Sequence, residues 1–482
     1  MLMKTASLSL AEQLSIRFAE RIRTRLLAPG ARLPSVRSCA QQQGVSPSTV
    51  VAAYDQLLAQ GLVEARRNRG FYVREPLGDG AAGKLNNTGN AAKAAATAPS
   101  EGSRHVPVNA TALIRGMFQG HSGKPQPGMG VFPPDWLQTN FMATAIRKVC
   151  SGGALQSFSL QYGEPAGDGG LRQSLSNKLA AINVNAPVSQ IITTVGATHA
   201  LDIVSRALLH AGDCVMVEEP GWAIEFARLA ALGMRILPVP RGPDGPDLDV
   251  MARYCELHAP KLFVSVSVLH NPTGFCLTPG LAHRVLQLAH QHNFHIVEDD
   301  TYSHLAPEHA TRLCALDGLR RTIYVSGFSK ILAPGWRVGY LAAPPDLVER
   351  LLDTKLLATL TTPALLEKAM AWCIDQGQLR RHAERIRTRL DIARARSVKL
   401  ALGAGCTFAA PPAGLFGWVD TGVDTDALAQ RMLDVGYLLA PGALFHAQRQ
   451  PGTLMRINFA TTQDAQFWKV FATCAGQRPS KR

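Results

Sequence analysis

Apolar positions in the first 75 residues fall first at helical spacing and then at strand spacing. Leu10, Leu14, Phe18, Ile22 and Leu26 recur every fourth residue and predict a helix within residues 8–27, stopped by Pro29-Gly30. A second, short helix is expected after Pro34-Ser35, with Val36 and Ala40 turned inward, and Gly44-Val45-Ser46 is the turn behind it. Ser46 suits the cap of a third helix over residues 49–60, whose buried side is Val50, Ala53, Tyr54, Leu57 and Leu58. Gly61 ends that helix. Leu62-Val63-Glu64 and Gly70-Phe71-Tyr72-Val73 then predict two short strands around Arg66-Arg67-Asn68-Arg69.

The pattern lapses over residues 76–108. Gly78-Asp79-Gly80-Ala81-Ala82-Gly83 and Asn86-Asn87-Thr88-Gly89-Asn90 offer turn formers and small side chains, too little apolar surface to offset ordering, so a flexible linker is expected. From residue 109 onward, short apolar runs alternate with amphipathic stretches. Val215-Met216-Val217, Leu262-Phe263-Val264-Ser265-Val266, His295-Ile296-Val297 and Thr322-Ile323-Tyr324-Val325 predict buried strands, and residues 281–291 a helix. That rhythm means an α/β domain with a mostly parallel sheet. The expected organisation is an N-terminal domain at 1–75, a linker at 76–108 and an α/β domain at 109–482. Its large subdomain spans about residues 150–340, and its small one 109–149 plus 341–482.

Charge narrows the function. The formal net charge is +14 over 482 residues. Residues 1–75 hold eleven basic and five acidic side chains, so nearly half of the surplus lies on less than a sixth of the chain, which favours nucleic acid as partner. The nine cysteines are scattered, without a Cys-x-x-Cys pair, which fits reduced thiols and neither a disulfide framework nor a zinc site; no metal is expected. Glu12 and Gln13 interrupt any signal-peptide core, and no charge-free apolar run of about 18 residues occurs, so a cytoplasmic protein with no membrane span is expected.

Two short helices, a glycine turn and a basic hairpin are the parts of a winged helix-turn-helix, mostly α with one β-hairpin, whose third helix enters the major groove. Pro29-Gly30-Ala31-Arg32-Leu33-Pro34-Ser35-Val36-Arg37, Gly44-Val45-Ser46, Thr49-Val50 and Gly61-Leu62-Val63 resemble the DNA-binding domain of the GntR group. The resemblance implies DNA contacts from Arg37, Ser46, Ser48 and Thr49. The hairpin arginines Arg66, Arg67 and Arg69 would meet phosphates or the minor groove. Pro47 stands where that family often has an arginine.

Further along, chemistry-bearing residues follow predicted strands, where α/β sheets place ligands. Ser326-Gly327-Phe328-Ser329-Lys330 follows one strand, and Arg337 comes seven residues after Lys330. A lone lysine is usually surface, but one buried beside cations has a depressed pKa and a nucleophilic amine. Arg337 suits bidentate phosphate binding. Glu298-Asp299-Asp300-Thr301-Tyr302 places carboxylates at a strand end, Asn271-Pro272-Thr273-Gly274 follows another strand, and Gly196-Ala197-Thr198 opens a helix able to hold phosphate. Trp222 offers a flat face. An amine, an acid, a ring-hydroxyl donor, a stacking partner and phosphate donors are the five needs of pyridoxal 5'-phosphate.

In order, these segments resemble the fold-type-I aminotransferases across about residues 110–475. The resemblance implies Lys330 as the Schiff-base lysine, Asp299 on the pyridine nitrogen, and Asn271 and Tyr302 at the ring hydroxyl. Ala197, Thr198 and Arg337 would hold the phosphate and Trp222 the ring face. Arg456, in Leu454-Met455-Arg456-Ile457-Asn458-Phe459, would grip a substrate or effector carboxylate, and Tyr162 would reach the neighbouring subunit's phosphate. Gly327 stands where a hydroxyl residue is common, so either Ser326 or Ser329 supplies that phosphate contact or the contact is missing.

A GntR-type reader joined to such a domain resembles the MocR-type regulators. That implies a head-to-tail homodimer binding double-stranded DNA, a small amine, amino acid or B6 vitamer as effector, and control of vitamin B6 or amino-compound genes. The cofactor is then sensed through Lys330, with at most partial transaminase chemistry. Two other readings stand beside it: an active aminotransferase with an appended DNA-binding domain, and a regulator that has lost the cofactor, against which Lys330, Asp299 and Arg456 argue.

Overall fold

A computed structural model describes residues 8–23, 27, 29–66, 69–74, 126–307 and 309–476. The expected linker, Leu26 and Arg67 lie outside the described residues. The chain divides into two compact units, the smaller holding the N-terminal helices and hairpin and the larger holding both remaining sheets.

The smaller unit has helices α1 (Leu10–Arg23), α2 (Val36–Gln43) and α3 (Pro47–Ala59) and strands β1 (Val63–Arg66) and β2 (Gly70–Val73). Local chemistry sets its boundaries. Ser35 caps α2 by accepting from Ser38 N, and Gly44, at φ 65°, ends it in the left-handed conformation that favours glycine. Helix α3 begins at Pro47, two residues before the expected start. Ser46 is its cap, accepting from Thr49 N at 3.2 Å, and Pro47 needs no intrahelical N–H partner in the first turn. Strand β1 runs one residue later than expected, with Val63 paired to Val73. Leu14, Phe18, Val50, Tyr54, Leu57 and Val73 form the core, and the buried Tyr54 hydroxyl donates to Pro34 O at 2.9 Å.

In the larger unit, β3 (Ile191–Thr194), β4 (Cys214–Glu219), β5 (Arg235–Gly242), β6 (Gly245–Pro246), β7 (Leu262–Ser265), β8 (His295–Asp299), β9 (Thr322–Gly327) and β10 (Gly339–Ala342) form one sheet. Its order is β3-β10-β9-β8-β7-β4-β5-β6. The five strands from β9 across to β5 are parallel neighbours. Their runs are apolar throughout because both faces are covered: Val215 and Val217 pack with the helix α4 (Ala197–Leu208), whereas Met216 packs with Leu248–His258 and Pro279–His292. Strand β7 ends at Ser265, short of the expected Val266, because Val266 N leaves the ladder and donates to Glu218 Oε2 at 2.9 Å.

Strand β10 runs antiparallel to both β9 and β3, with Gly339 opposite Gly327 and Thr194. Its start therefore lies at the sheet edge where the parallel strands end. A second, antiparallel sheet orders β11 (Thr407–Phe408), β12 (Phe416–Asp420), β14 (Leu454–Asn458) and β13 (Ala440–Pro441) as β11-β12-β14-β13. No helix among the described residues is long and apolar enough to cross a membrane.

Candidate functional site

Loops at the carboxyl ends of β3, β4, β7, β8 and β9, and the turn before β10, deliver the expected residues to one edge of the large sheet. Lys330 follows β9, and its Nζ donates to Gly130 O at 3.0 Å. Burial and the nearby Arg456 and Arg337 cations depress its amine to about 8, against the opposing pull of Asp299.

Asp299 closes β8 and lines a cavity with Trp222, Val264, Val266 and His270. Burial raises its carboxyl to about 6, although Thr301 N donates to Oδ1 at 3.1 Å and the Thr301 hydroxyl donates to the same oxygen. Asp300 is turned elsewhere: its Oδ2 accepts from Arg312 Nε at 2.6 Å and from the Tyr324 hydroxyl at 2.9 Å, a buried ion pair within the core.

Asn271 Oδ1 accepts from Arg456 Nη1 at 2.8 Å. Arg456 is buried on β14 between the Phe416 and Phe445 rings, 4.5 and 5.1 Å from its guanidinium carbon, and burial brings it down to about 10. Its Nε has no hydrogen-bond partner among the described residues. Tyr302 stands edge-on to Phe416 at 5.5 Å, and burial pushes its hydroxyl pKa up.

At the other end, Gly196 (φ 80°) precedes the first turn of α4, which holds Ala197 and the exposed Thr198. A Cβ on Gly196 would lie 2.5 Å from Arg337 Nη2, so only glycine leaves the guanidinium this close to the helix start. At Gly327 the fit is tight but open to a side chain: a Cβ there would lie 3.3 Å from Val338 O and 3.4 Å from Ala197 N, so its neighbours would need to give by only a few tenths of an ångström. Ser326 is fully buried and donates to Asp300 O at 2.9 Å; Ser329 is half-buried. Tyr162, 84% exposed, takes part in none of these bonds.

The donor set suits an elongated anion with a basic ring. Arginines stand at both ends, a carboxylate faces the Trp222 cavity between them, and a depressed lysine amine lies alongside. A buried Nε without a partner and a glycine-lined phosphate cradle fit a carboxylate and a phosphate respectively.

In the smaller unit, Arg37, Ser46, Ser48, Arg66 and Arg69 are exposed and Thr49 is half-buried. The three hydroxyls interlock, Ser46 Oγ lying 2.8 Å from both Ser48 Oγ and Thr49 Oγ1. Arg66 is engaged within the hairpin, 2.7 Å from Glu64 and 4.5 Å from the Tyr72 ring centroid.

The profile of the aminotransferase class I and II family matches residues 138–471. The chain belongs to that family. Residues 10–73 match the bacterial regulatory proteins of the gntR family, so this aminotransferase-family chain has a GntR helix-turn-helix domain in front. It is 25% identical over 452 residues to YisV, an HTH-type transcriptional regulator of Bacillus subtilis, covering 91% of this chain and 90% of the relative. It is 28% identical to the probable rhizopine catabolism regulatory protein MocR of Rhizobium meliloti, covering 76% and 73%. Among solved structures, the kynurenine aminotransferase of Pyrococcus horikoshii in complex with PMP superposes with a TM-score of 0.67 at 25% identity, covering 74% of this chain and 90% of that one.

Residue reasoning missed several groups that surround these side chains. Thr301 orients Asp299, and the fully buried Asn458 donates to Met129 O and Val131 O, both at 2.8 Å. Gly128-Met129-Gly130, two glycines ahead of Pro133-Pro134-Asp135, was the available signal that backbone approaches something closely there.

Proposed function

We propose that this chain is a cytoplasmic, pyridoxal-phosphate-dependent transcription regulator. It would read double-stranded DNA through residues 1–75 and sense a small amine, amino acid or B6 vitamer in residues 109–482, the two joined by residues 76–108. The observation that carries the reading is the presence in one chain of a GntR domain and a site that keeps Lys330, Asp299 and Arg456 together. Genes of vitamin B6 or amino-compound metabolism are the targets that such a sensor suits.

Asp299 would pair with the ring nitrogen, held in position by Thr301. Asn271 and Tyr302 would serve the ring hydroxyl, and Trp222 one ring face. The Ala197 amide, Thr198, Ser329 and Arg337 would hold the phosphate; Ser326 is already engaged with Asp300 O. When bound, the cofactor supplies an aldehyde that condenses with amines and a ring that withdraws electrons. Lys330 contributes an amine that is partly neutral near pH 8, the form able to attack. Arg456 takes the effector carboxylate through charge-assisted hydrogen bonds, with Asn271 fixing the guanidinium plane. The exposure of Tyr162 suits a contact with a second copy, and a head-to-tail homodimer is the assembly we assign.

In the smaller unit, Arg37 and the start of α3 would face base edges and phosphates, with the hairpin arginines on the backbone. The test measures binding of the full-length protein to its own promoter region and to random DNA, with and without pyridoxal phosphate, beside steady-state transamination over a panel of amino donors. Promoter preference that responds to the cofactor supports the regulator. Rapid turnover without promoter preference replaces it with the aminotransferase reading, which the intact Lys330 and Arg456 also favour.

A further inference from the structure

The helix α5 (Gln378–Gly403) of the larger unit holds eight basic and two acidic side chains, the same surplus as all of residues 1–75. At 3.6 residues per turn, Arg381, Arg385, Arg389, Ile392, Arg396 and Lys399 fall within an arc of about 80°, in a stripe about 27 Å long, and all six are exposed. The opposite face, with Leu379, Ile386, Leu390 and Ala393, is buried. Both acids, Glu384 and Asp391, lie outside the stripe on the adjoining arc, where Asp391 takes Arg394 at 2.6 Å. Within the stripe, Arg381 donates to Gln376 O at 2.8 Å, Arg385 lies 3.1 Å from Nδ1 of the buried His382 ring, and Arg389 pairs with the exposed Asp135 at 2.7 Å. Arg396 and Lys399 have no hydrogen-bond or ion-pair partner among the described residues. Arg381, Arg385 and Arg389 follow one another at intervals of four, so neighbouring charges repel and cost the helix stability. Solubility alone needs no such cost, since alternating signs, as on the adjoining arc, would serve it as well. A polyanion laid along the stripe would relieve the repulsion.

We propose that the exposed stripe of α5 is a second contact surface for duplex DNA, meeting the sugar–phosphate backbone beside the segment that the GntR domain reads. The inference rests on the regulator reading above, which brings duplex DNA to this chain. Five cations over about 27 Å suit the backbone along about eight base pairs, at 3.4 Å per step. A membrane surface suits the stripe less well, because Ile392 is its one apolar side chain and a helix that lies in lipid needs a broad apolar face. Phosphates carry no sequence information, so the stripe adds affinity and fixes the path of the flanking DNA, while sequence preference stays with the reader.

Binding of the full-length protein to a duplex carrying its promoter region tests this. Combining Arg381→Gln, Arg385→Gln, Arg396→Gln and Lys399→Gln removes four exposed charges and leaves Arg389 with Asp135. The slope of log affinity against log salt is expected to flatten by about 3–4, at about 0.9 per phosphate contact. Hydroxyl-radical footprinting should lose protection over about eight base pairs beside the reader's footprint, with promoter preference over random DNA retained. A control of equal charge, with the exposed Arg235, Arg253, Lys261 and Arg284 each changed to Gln, should keep both slope and footprint. The pair Arg396→Gln and Lys399→Gln, with an expected change of about 2 in slope, serves should the fourfold variant not fold. An unchanged slope and footprint, or an equal change in the control, overturns the second contact and leaves the regulator reading intact. Loss of binding to phosphatidylserine vesicles with an unchanged DNA slope overturns it in favour of a membrane surface. DNA bound by neither wild type nor variant overturns the regulator reading and the second contact with it.

Discussion

In the smaller unit the residues proposed to meet DNA are exposed, Arg37, Ser46, Ser48 and Arg69 among them; in the larger unit Asn271, Tyr302 and Arg456 are buried and bonded to their neighbours. The difference follows from the partners. A DNA phosphate stays hydrated, so it is met by solvated arginines whose attraction is screened by salt. A carboxylate or a ring nitrogen gripped singly needs donors stripped of water, and only there do burial and neighbouring charge move Lys330 to about 8 and Asp299 to about 6. Surface recognition adds up from many similar charges. The buried site depends on each group separately.

The largest effect should come from Lys330→Ala, which is expected to abolish cofactor fixation by borohydride, measured by mass spectrometry of the reduced protein. In the wild type, the capture rate should climb with pH and level off above about 8, not near 10.5, because only the neutral amine attacks. A midpoint near 10.5 would place Lys330 in a solvated setting like that of the reader arginines.

The two neighbouring aspartates sharpen the contrast within the buried site. Asp300→Ala leaves the Arg312 charge buried without its carboxylate and should cost about 3–5 kcal/mol in denaturant unfolding. Asp299→Asn should do the opposite to the cofactor-free protein. The folded-state pKa of Asp299 is raised from 3.8 to about 6, so the ionised carboxylate costs stability that is lost as pH rises from about 4 through 6. Removing that charge should stabilise the cofactor-free chain at pH 7 by on the order of 2 kcal/mol while weakening cofactor binding strongly. Equal destabilisation by both variants would mean that the two carboxylates share one role.

Arg456→Gln should leave cofactor absorbance in place and weaken the spectral response to amino acids, by about 1.5–3 kcal/mol if a charge-assisted bond is lost. The smallest effects belong to the reader. Arg37→Ala should cut promoter preference by about 1–3 kcal/mol if it makes a bidentate base contact, read from binding to promoter and random DNA in parallel. Arg66→Ala should do less, under about 1 kcal/mol, since its guanidinium is engaged with Glu64 and Tyr72. A reversal of that order would move the DNA contact from α2 to the hairpin.

Much of the architecture was legible in the chain. Ser46 and Gly44 mark the bounds of α3 and α2 because capping is local chemistry. The order of Gly196, Trp222, Asn271, Asp299, Lys330 and Arg337 was readable because each follows or precedes a strand. The apolar stripe alone starts α3 two residues late, since the cap at Ser46 and not the stripe defines the helix start at Pro47. The contacts of Gly128 and Gly130 with the site were not legible. Lys330 lies 200 residues from Gly130 and Arg456 lies 328 from Gly128, and no local period encodes a hydrogen bond across that distance.

Residues alone indicated the helices and hairpin of the smaller unit, four central strands of the large sheet, the family resemblance and the set of charged groups available for chemistry. Those follow from capping, apolar period and side-chain type, which act within a few residues. Tertiary structure decided the rest. The antiparallel course of β10 brings Arg337 against Gly196. Thr301 fixes Asp299, while Arg312 claims Asp300. Position 327 comes to lie close to Ala197 N and Val338 O. These outcomes depend on burial and on groups meeting from distant parts of the chain. A neighbour's charge and the loss of water around a side chain exist only once the sheet has formed.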